Sequence, residues 1–221
     1  MTLEEYFGDW LKIIDVPSLN RVLPYLKDLY SNKECTPEYK DIFKAFTLLK
    51  FKDLKVIFLG QDPYPQKGVA TGILFGNKEG TSLSPSLEVI MDACQRAYNP
   101  EIPAKFDCTM ESYGRQGILL LNSALTTEVN NIGAHVMLWR NFISKILQNC
   151  SKMETGLIYV LFGKQAQSFK KFINEKFNYI IEVNHPAYYA RNNEDMPSDL
   201  FKQIDKILIG MYGETIKWFN N

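Results

Sequence analysis

The chain lacks paired cysteines, an excess of charge of either sign, and any long apolar run, and each shortage removes a class of function. Its four cysteines, Cys35, Cys94, Cys108 and Cys150, are scattered without a CxxC pair or other metal-ligand spacing. This argues against a zinc site, an iron–sulfur cluster or a disulfide framework, and leaves reduced, mostly buried thiols as the expectation. The 25 basic residues balance 25 acidic ones and the isoelectric point is near 6.7, so no global field draws the protein to a polyanion. Any contact with nucleic acid must therefore use positive charge gathered locally. The apolar runs are short and broken by charge, and Met1-Thr-Leu-Glu-Glu5 has neither the basic flank nor the apolar stretch of a secretory signal. A soluble, intracellular protein with no membrane contact is expected. No repeat, low-complexity tract or Gly/Ser linker divides the sequence, so residues 1–221 are read as one domain.

What is present suffices for a full core: 46% of the 221 residues are hydrophobic and 13% aromatic. Residues 1–50 read as helical, with apolar residues at helical spacing in Leu3–Ile14, Leu19–Tyr30 and Tyr39–Leu49. From Val56 onward, short aliphatic runs alternate with amphipathic ones. Val56–Leu59, Ile118–Leu121, Leu157–Phe162 and Tyr179–Val183 read as strands, and Leu87–Tyr98, Leu138–Cys150, Gln165–Phe172 and Leu200–Tyr212 as helices. Continuous apolar strands interleaved with helices predict an α/β fold: three α/β/α layers with a central four-stranded parallel sheet flanked by helices. Ser84-Pro85 offers an N-cap followed by proline at the first helical position, and Pro197-Ser198-Asp199 precedes the last helix.

Each predicted strand runs into polar residues: Gly60-Gln61-Asp62, Asn122-Ser123, Gly163-Lys164 and Asn184-His185-Pro186. The carboxyl ends of parallel strands share one edge, where ligands bind in the crevice between diverging loops. Asp62 lies between Gln61 and Pro63, and Pro65 stiffens the far side of Tyr64, so the turn pre-positions a carboxylate, an amide and a phenol. His185, between a strand end and Pro186, can stabilise developing negative charge either as a cation or as a neutral donor. His135, the other histidine, reads as a hydrogen-bonded structural residue. Asn122 either reads a base edge carrying a donor beside an acceptor or caps a turn. Phe75, in Gly72-Ile-Leu-Phe-Gly76, is either core or a stacking platform for a planar ligand.

From Val56 to about Arg191 the chain resembles the family 1 uracil-DNA glycosylases. GQDPYP at Gly60–Pro65 looks like that family's water-activating loop GQDPYH, and LLLNSALT at Leu119–Thr126 is similar to its LLLN segment. GILFG around Phe75 resembles its uracil-stacking segment, and Pro85-Ser86-Leu87 its proline-rich loop. LFGKQAQ at Leu161–Gln167 resembles its WGSHAQ loop, and HPAYYA at His185–Ala190 occupies the place of its HPSPLS loop.

The resemblance implies a monofunctional glycosylase without metal or cofactor, acting on uracil-containing DNA, single- or double-stranded. It implies that Asp62 orients water and stabilises the sugar cation, while His185 donates to the uracil O2. Tyr64 would exclude the thymine methyl, Asn122 would bind the uracil edge, Phe75 would stack on the ring, and Gln61 would contribute to the same pocket. Pro85, Ser86, Gly163, Lys164, Ala187, Tyr188, Tyr189 and Arg191 would face DNA. A monomer is expected, with DNA-mimicking inhibitor proteins as further partners.

Three positions depart from the pattern. Pro65 replaces a His, as it does in poxviral members; Ala187 replaces a Ser and Tyr189 a Leu wedge; Lys164 replaces a Ser. The competing reading is a weakly active or inactive DNA-binding replication accessory on the same fold.

Overall fold

The computed structural model describes residues 2–98 and 105–219. Its centre is a sheet of β2 (Val56–Gly60), β3 (Ile118–Asn122), β5 (Ile158–Phe162) and β6 (Tyr179–Val183), all parallel, in the spatial order β3-β2-β5-β6. Every residue of β2, β3 and β5 is buried, as strands covered on both faces require. β6, at one edge, is only partly covered.

The alternation along β2 divides the core. Ile57 and Leu59 point into one apolar cluster with Trp10, Leu19, Phe46, Trp139 and Phe142. Val56 and Phe58 point into another with Leu87, Ile90, Phe201, Leu208 and Trp218. One face is thus covered by α1 (Leu3–Phe7), α2 (Val16–Asn32), α3 (Lys44–Thr47) and α6 (Val136–Met153), and the other by α4 (Pro85–Tyr98) and α9 (Asp199–Tyr212). This is the three-layer arrangement that the alternating pattern predicts.

The departures are local. The periodic stretch Leu3–Ile14 is not one helix, because Gly8 turns the backbone to φ +53° and a 3-10 turn over Gly8–Lys12 follows. Tyr39–Leu49 likewise resolves into a 3-10 turn at Tyr39–Asp41 and the single-turn α3. The Gln165–Phe172 helix is a short α7 (Gly163–Gln167) and then a 3-10 turn at Lys170–Phe172. Two two-residue strands pair antiparallel, β1 (Cys35–Thr36) with β4 (Thr127–Glu128), and the one-turn α5 is Glu111–Arg115. Neither is long enough to show a period. The HPAYYA segment is no loop but the start of α8 (Pro186–Asn192).

Register brings the polar residues to one edge. Gly60 pairs with Asn122 at the carboxyl ends of β2 and β3, and the loops beyond are tied together by Ser123 N–H to the Gly60 carbonyl (3.0 Å) and Ala124 N–H to the Gln61 carbonyl (2.9 Å). A side chain at Gly60 has no room, since its Cβ would lie 2.3 Å from Leu74 Cδ1 and 3.1 Å from Asn122 Oδ1. Leu74 is itself buried. Gly60→Ala is expected to cost about 1–3 kcal/mol through overpacking, read as a lowered midpoint in urea unfolding.

Candidate active site

The turn after β2 holds Asp62 asymmetrically. Its Oδ2 accepts from Gln61 Nε2 (2.8 Å) and from the Gly133 backbone N–H (3.0 Å), while the buried Oδ1 has no hydrogen-bond partner among the described residues. Burial raises the pKa of this carboxyl above the usual Asp value, and the two donors on Oδ2 offset only part of the rise. One oxygen thus anchors the group, and the other is an acceptor left for something in the crevice. Gly133 lies between β4 and α6 at φ +84°.

His185 ends β6's connection and caps α8. Its Nδ1 accepts from the Ala187 N–H at 3.2 Å, so the proton of the neutral ring sits on Nε2. Burial, reinforced by the positive charge of Arg191, lowers its pKa to about 4. Of the two forms open to this side chain, the structure therefore selects the neutral donor. Gly163 packs against the base of this residue: it adopts φ +82°, and a Cβ there would come within 2.9 Å of His185 Cβ.

Between Asp62 and His185 lies a cavity of about 310 Å³ whose walls include Gln61, Tyr64, Phe75, Asn122 and Ser86. Phe75 adopts φ +61°, and its ring meets the ring of Phe162 edge-on at 5.1 Å and that of His185 at 5.6 Å. The Tyr64 phenol donates to the Phe75 carbonyl (3.1 Å) and accepts from the Ser84 hydroxyl; burial pushes its pKa up to about 12, so it stays protonated. Asn122 is buried, and its Oδ1, like Asp62 Oδ1, has no partner among the described residues. A planar polar ligand between these walls would satisfy the orphan amide. A larger open groove of about 1090 Å³, with Lys55 and Gly117 in its wall, has none of the buried, unpartnered acceptors found among the described residues.

Of the residues predicted from sequence, Gln61, Asp62, Tyr64, Phe75, Ser86, Asn122, His185, Ala187 and Arg191 line this one cavity. Pro85 opens α4 beside Ser86, Gly163 stands behind His185, and Lys164 is exposed on α7. Tyr189 contradicts its expected place at a DNA surface. Only 7% exposed, it packs in the core, whereas Tyr188 is 39% exposed. Helix phase is the reason, because α8 begins at Pro186 and turns Pro186 and Tyr189, three residues apart, inward together. Ser84 occupies its expected place before α4, yet its carbonyl, not its hydroxyl, meets the first turn.

Three contributors escape the sequence reading. Gly133 serves through its backbone N–H, which no residue type signals. Ser84 acts across a long connection. Ile132 lines the cavity while remaining 68% exposed, and only its neighbourhood reveals it. His135 does take the structural part expected of it, buried with Nδ1 2.9 Å from Thr126 Oγ1.

Among known proteins, the profile of the Uracil DNA glycosylase superfamily matches residues 46–209. The chain is 37% identical over 196 residues to the uracil-DNA glycosylase of Mycoplasmopsis pulmonis, covering 88% of this chain and 87% of that protein. It is 32% identical to that of Buchnera aphidicola subsp. Acyrthosiphon pisum, covering 90% of each. Its fold is similar to a mimivirus UNG variant crystallised with UGI, at TM-score 0.84 and 22% identity over 99% of this chain and 91% of that one. It is also similar to the UNG of Nitratifractor salsuginis, at TM-score 0.67 and 21% identity over 89% and 90%.

The state of His185 is directly measurable. Imidazole ¹⁵N NMR should show the Nε2–H tautomer at neutral pH and protonation only near pH 4. Because the folded pKa lies below the ordinary value of 6.5, the native state binds this proton less readily than the unfolded chain. Stability from this group is then complete above about pH 6.5 and is lost as the pH falls toward 4. A ring that titrates at its ordinary value would contradict the assignment.

Proposed function

The chain belongs to the uracil DNA glycosylase superfamily, and from that membership we propose how its residues divide the work of removing uracil from DNA. The protein is an enzyme that hydrolyses the N-glycosidic bond of deoxyuridine, leaving an abasic site for base-excision repair. The carrying observation is the convergence of Asp62, Asn122 and His185 on one cavity, with a buried oxygen on each of the first two that has no partner among the described residues.

Chemistry on a stacked base requires flipping it out of the duplex, at a cost of roughly a few kcal/mol. The flipped ring lies on Phe75. Asn122 donates to O4 and accepts from N3–H, and cytosine is rejected because its donor and acceptor are transposed at that edge. Tyr64 fills the space that a C5 methyl would need, excluding thymine by clash.

As the C1′–N1 bond breaks, positive charge builds on the sugar and negative charge on the departing base. The Asp62 carboxylate faces the first, its Oδ1 free to orient the water whose oxygen adds to C1′ and to take up that water's proton. Neutral His185 faces the second and donates from Nε2 to the uracil O2. A neutral donor suits this step, since it stabilises an anion without needing a proton from solution at the working pH. Gln61 acts at one remove, through the hydrogen bond that fixes Asp62.

For a chain with no net charge, DNA contact must be local. We place it on Pro85, Ser86, Lys164, Ala187 and Arg191 around the mouth, with Gly163 as backing for His185. Tyr188 is the exposed aromatic that meets the duplex, in place of Tyr189. A DNA-mimicking inhibitor protein would cover the same rim. Among the described residues no helix is long and apolar enough to cross a membrane, and we read the enzyme as acting inside the cell, where the genome is replicated. We also read it as one domain, because Trp10 and Phe46 of the N-terminal segment share a core cluster with Ile57 and Leu59 of the central strand, and we propose that it acts as a monomer. The alternative of a catalytically silent accessory protein is not favoured, since the chemical groups are present and converge.

Purified protein incubated with uracil-containing oligonucleotides, single- and double-stranded, should leave alkali-labile abasic sites. Asp62→Asn and His185→Ala are each expected to lower kcat by about 10²–10³ with little change in DNA affinity. Absence of uracil release at high enzyme concentration, with a known glycosylase active alongside, would remove this reading.

A further inference from the structure

Excluding a methyl group by clash works only if the blocking side chain cannot yield. Pro63 and Pro65 stiffen the backbone on either side of Tyr64, but they leave its side-chain torsions free. The ring is held instead at its oxygen. The phenol donates to the Phe75 carbonyl at 3.1 Å and accepts from the Ser84 hydroxyl, so it is anchored from two sides. The first anchor lies on the residue that stacks on the base, and the second comes from a separate connection.

Ser84 is placed as an anchor should be. It stands immediately before α4, where serine commonly spends its hydroxyl on the first turn of the helix. Here the helix is met by the Ser84 carbonyl, which accepts from the N–H groups of Leu87 (2.9 Å) and Glu88 (3.0 Å), and the hydroxyl is turned away to Tyr64. The connection that carries Ser84 is itself tied down. Asn77, 1% exposed, donates from Nδ2 to the Ser82 carbonyl (2.7 Å) and from its backbone to the Cys108 carbonyl (2.9 Å).

We propose that Ser84 is a specificity-positioning residue: its hydroxyl holds the Tyr64 phenol against the C5 edge of the bound pyrimidine, so that discrimination between uracil and thymine depends on Ser84 as well as on Tyr64. The proposal rests on Tyr64 being the methyl gate. Ser84 itself does not touch the substrate, and its hydroxyl carries no part of the glycosidic chemistry. Its loss therefore changes which base is accepted far more than how fast uracil leaves.

The test compares kcat and KM on matched oligonucleotides carrying uracil, 5-fluorouracil or thymine, for wild type, Ser84→Ala, Ser84→Thr, Tyr64→Phe, Tyr64→Ala and the Ser84→Ala/Tyr64→Phe double variant. Expressing each variant relative to wild type on the same base cancels the electronic effect of the 5-substituent on the leaving group. Ser84→Ala is expected to raise the thymine-to-uracil ratio of kcat/KM roughly tenfold, about what one hydrogen bond is worth, while kcat on uracil falls less than about threefold. The gain on 5-fluorouracil should be smaller, because fluorine is smaller than a methyl. Ser84→Thr, which keeps the hydroxyl, should restore the wild-type ratio.

If the effect passes through the phenol, Ser84→Ala should add nothing in the Tyr64→Phe background, a non-additivity that general loosening of the fold would not produce. An unchanged ratio in Ser84→Ala, alongside a Tyr64→Ala enzyme that does accept thymine, would overturn the role of Ser84 and leave the methyl gate standing. A Tyr64→Ala enzyme that still refuses thymine would overturn both.

Discussion

The site depends on keeping a carboxylate charged in a place that disfavours charge. Removing Asp62 from water raises its pKa, and full desolvation without compensation would protonate it and end its usefulness. Two donors offset part of that cost, the Gln61 amide and the Gly133 backbone, both on the same oxygen. The division matters: a carboxylate satisfied on both oxygens would be stable and idle, whereas one satisfied on neither would ionise less readily. The partners also come from different parts of the chain, one from the turn after β2 and one from the connection before α6, so the charged state requires the whole sheet edge to be assembled.

His185 obeys the opposite logic with the same means. Burial here favours the uncharged ring, the Ala187 N–H occupies Nδ1, and Gly163 leaves room for the backbone and Cβ of His185. Fixing the acceptor nitrogen to the backbone settles which nitrogen can donate. One crevice therefore holds an anion stabilised by donors and a neutral ring stabilised by desolvation, about a cavity large enough for a single pyrimidine. Such opposed environments are what separate two titratable groups into distinct roles. The sheet achieves this because neighbouring parallel strands deliver their successor loops to one edge.

Much of this is legible in the amino-acid sequence. β2, β3 and β5 are continuous apolar runs buried on both faces, and their alternation with amphipathic stretches specifies a parallel sheet. Residues that act through side chains at strand ends, Asp62, Asn122 and His185, were visible for the same reason. What stayed hidden has a common physical character. Tyr188 and Tyr189 are chemically alike, and only the phase of α8, set by where Pro186 starts it, decides which one faces outward. Gly133 contributes a backbone group, and Ser84 contributes a hydroxyl to Tyr64, twenty positions away along the chain. Contacts that depend on loop path rather than on period leave no signature in the chain.

In the proposed reading, the two discriminations asked of the pocket call on different physics, one assigned to Asn122 and the other to Tyr64. Cytosine presents the wrong pattern of donors and acceptors, so binding it would leave the buried Asn122 amide mismatched, and a buried unpaired polar group is costly enough to reject it. Thymine presents the correct pattern and merely adds a methyl group, which a soft apolar wall could accommodate for about 1–3 kcal/mol. Hydrogen bonding cannot refuse it; only a wall that does not move can. A polar residue left unsatisfied for the ligand and an aromatic residue satisfied twice over by the protein are thus complementary devices. On the proposed assignment, the first reads what uracil has, and the second refuses what uracil lacks. A polar anchor suits the second task because it resists rotation of the ring, and packing alone would allow the ring to slide.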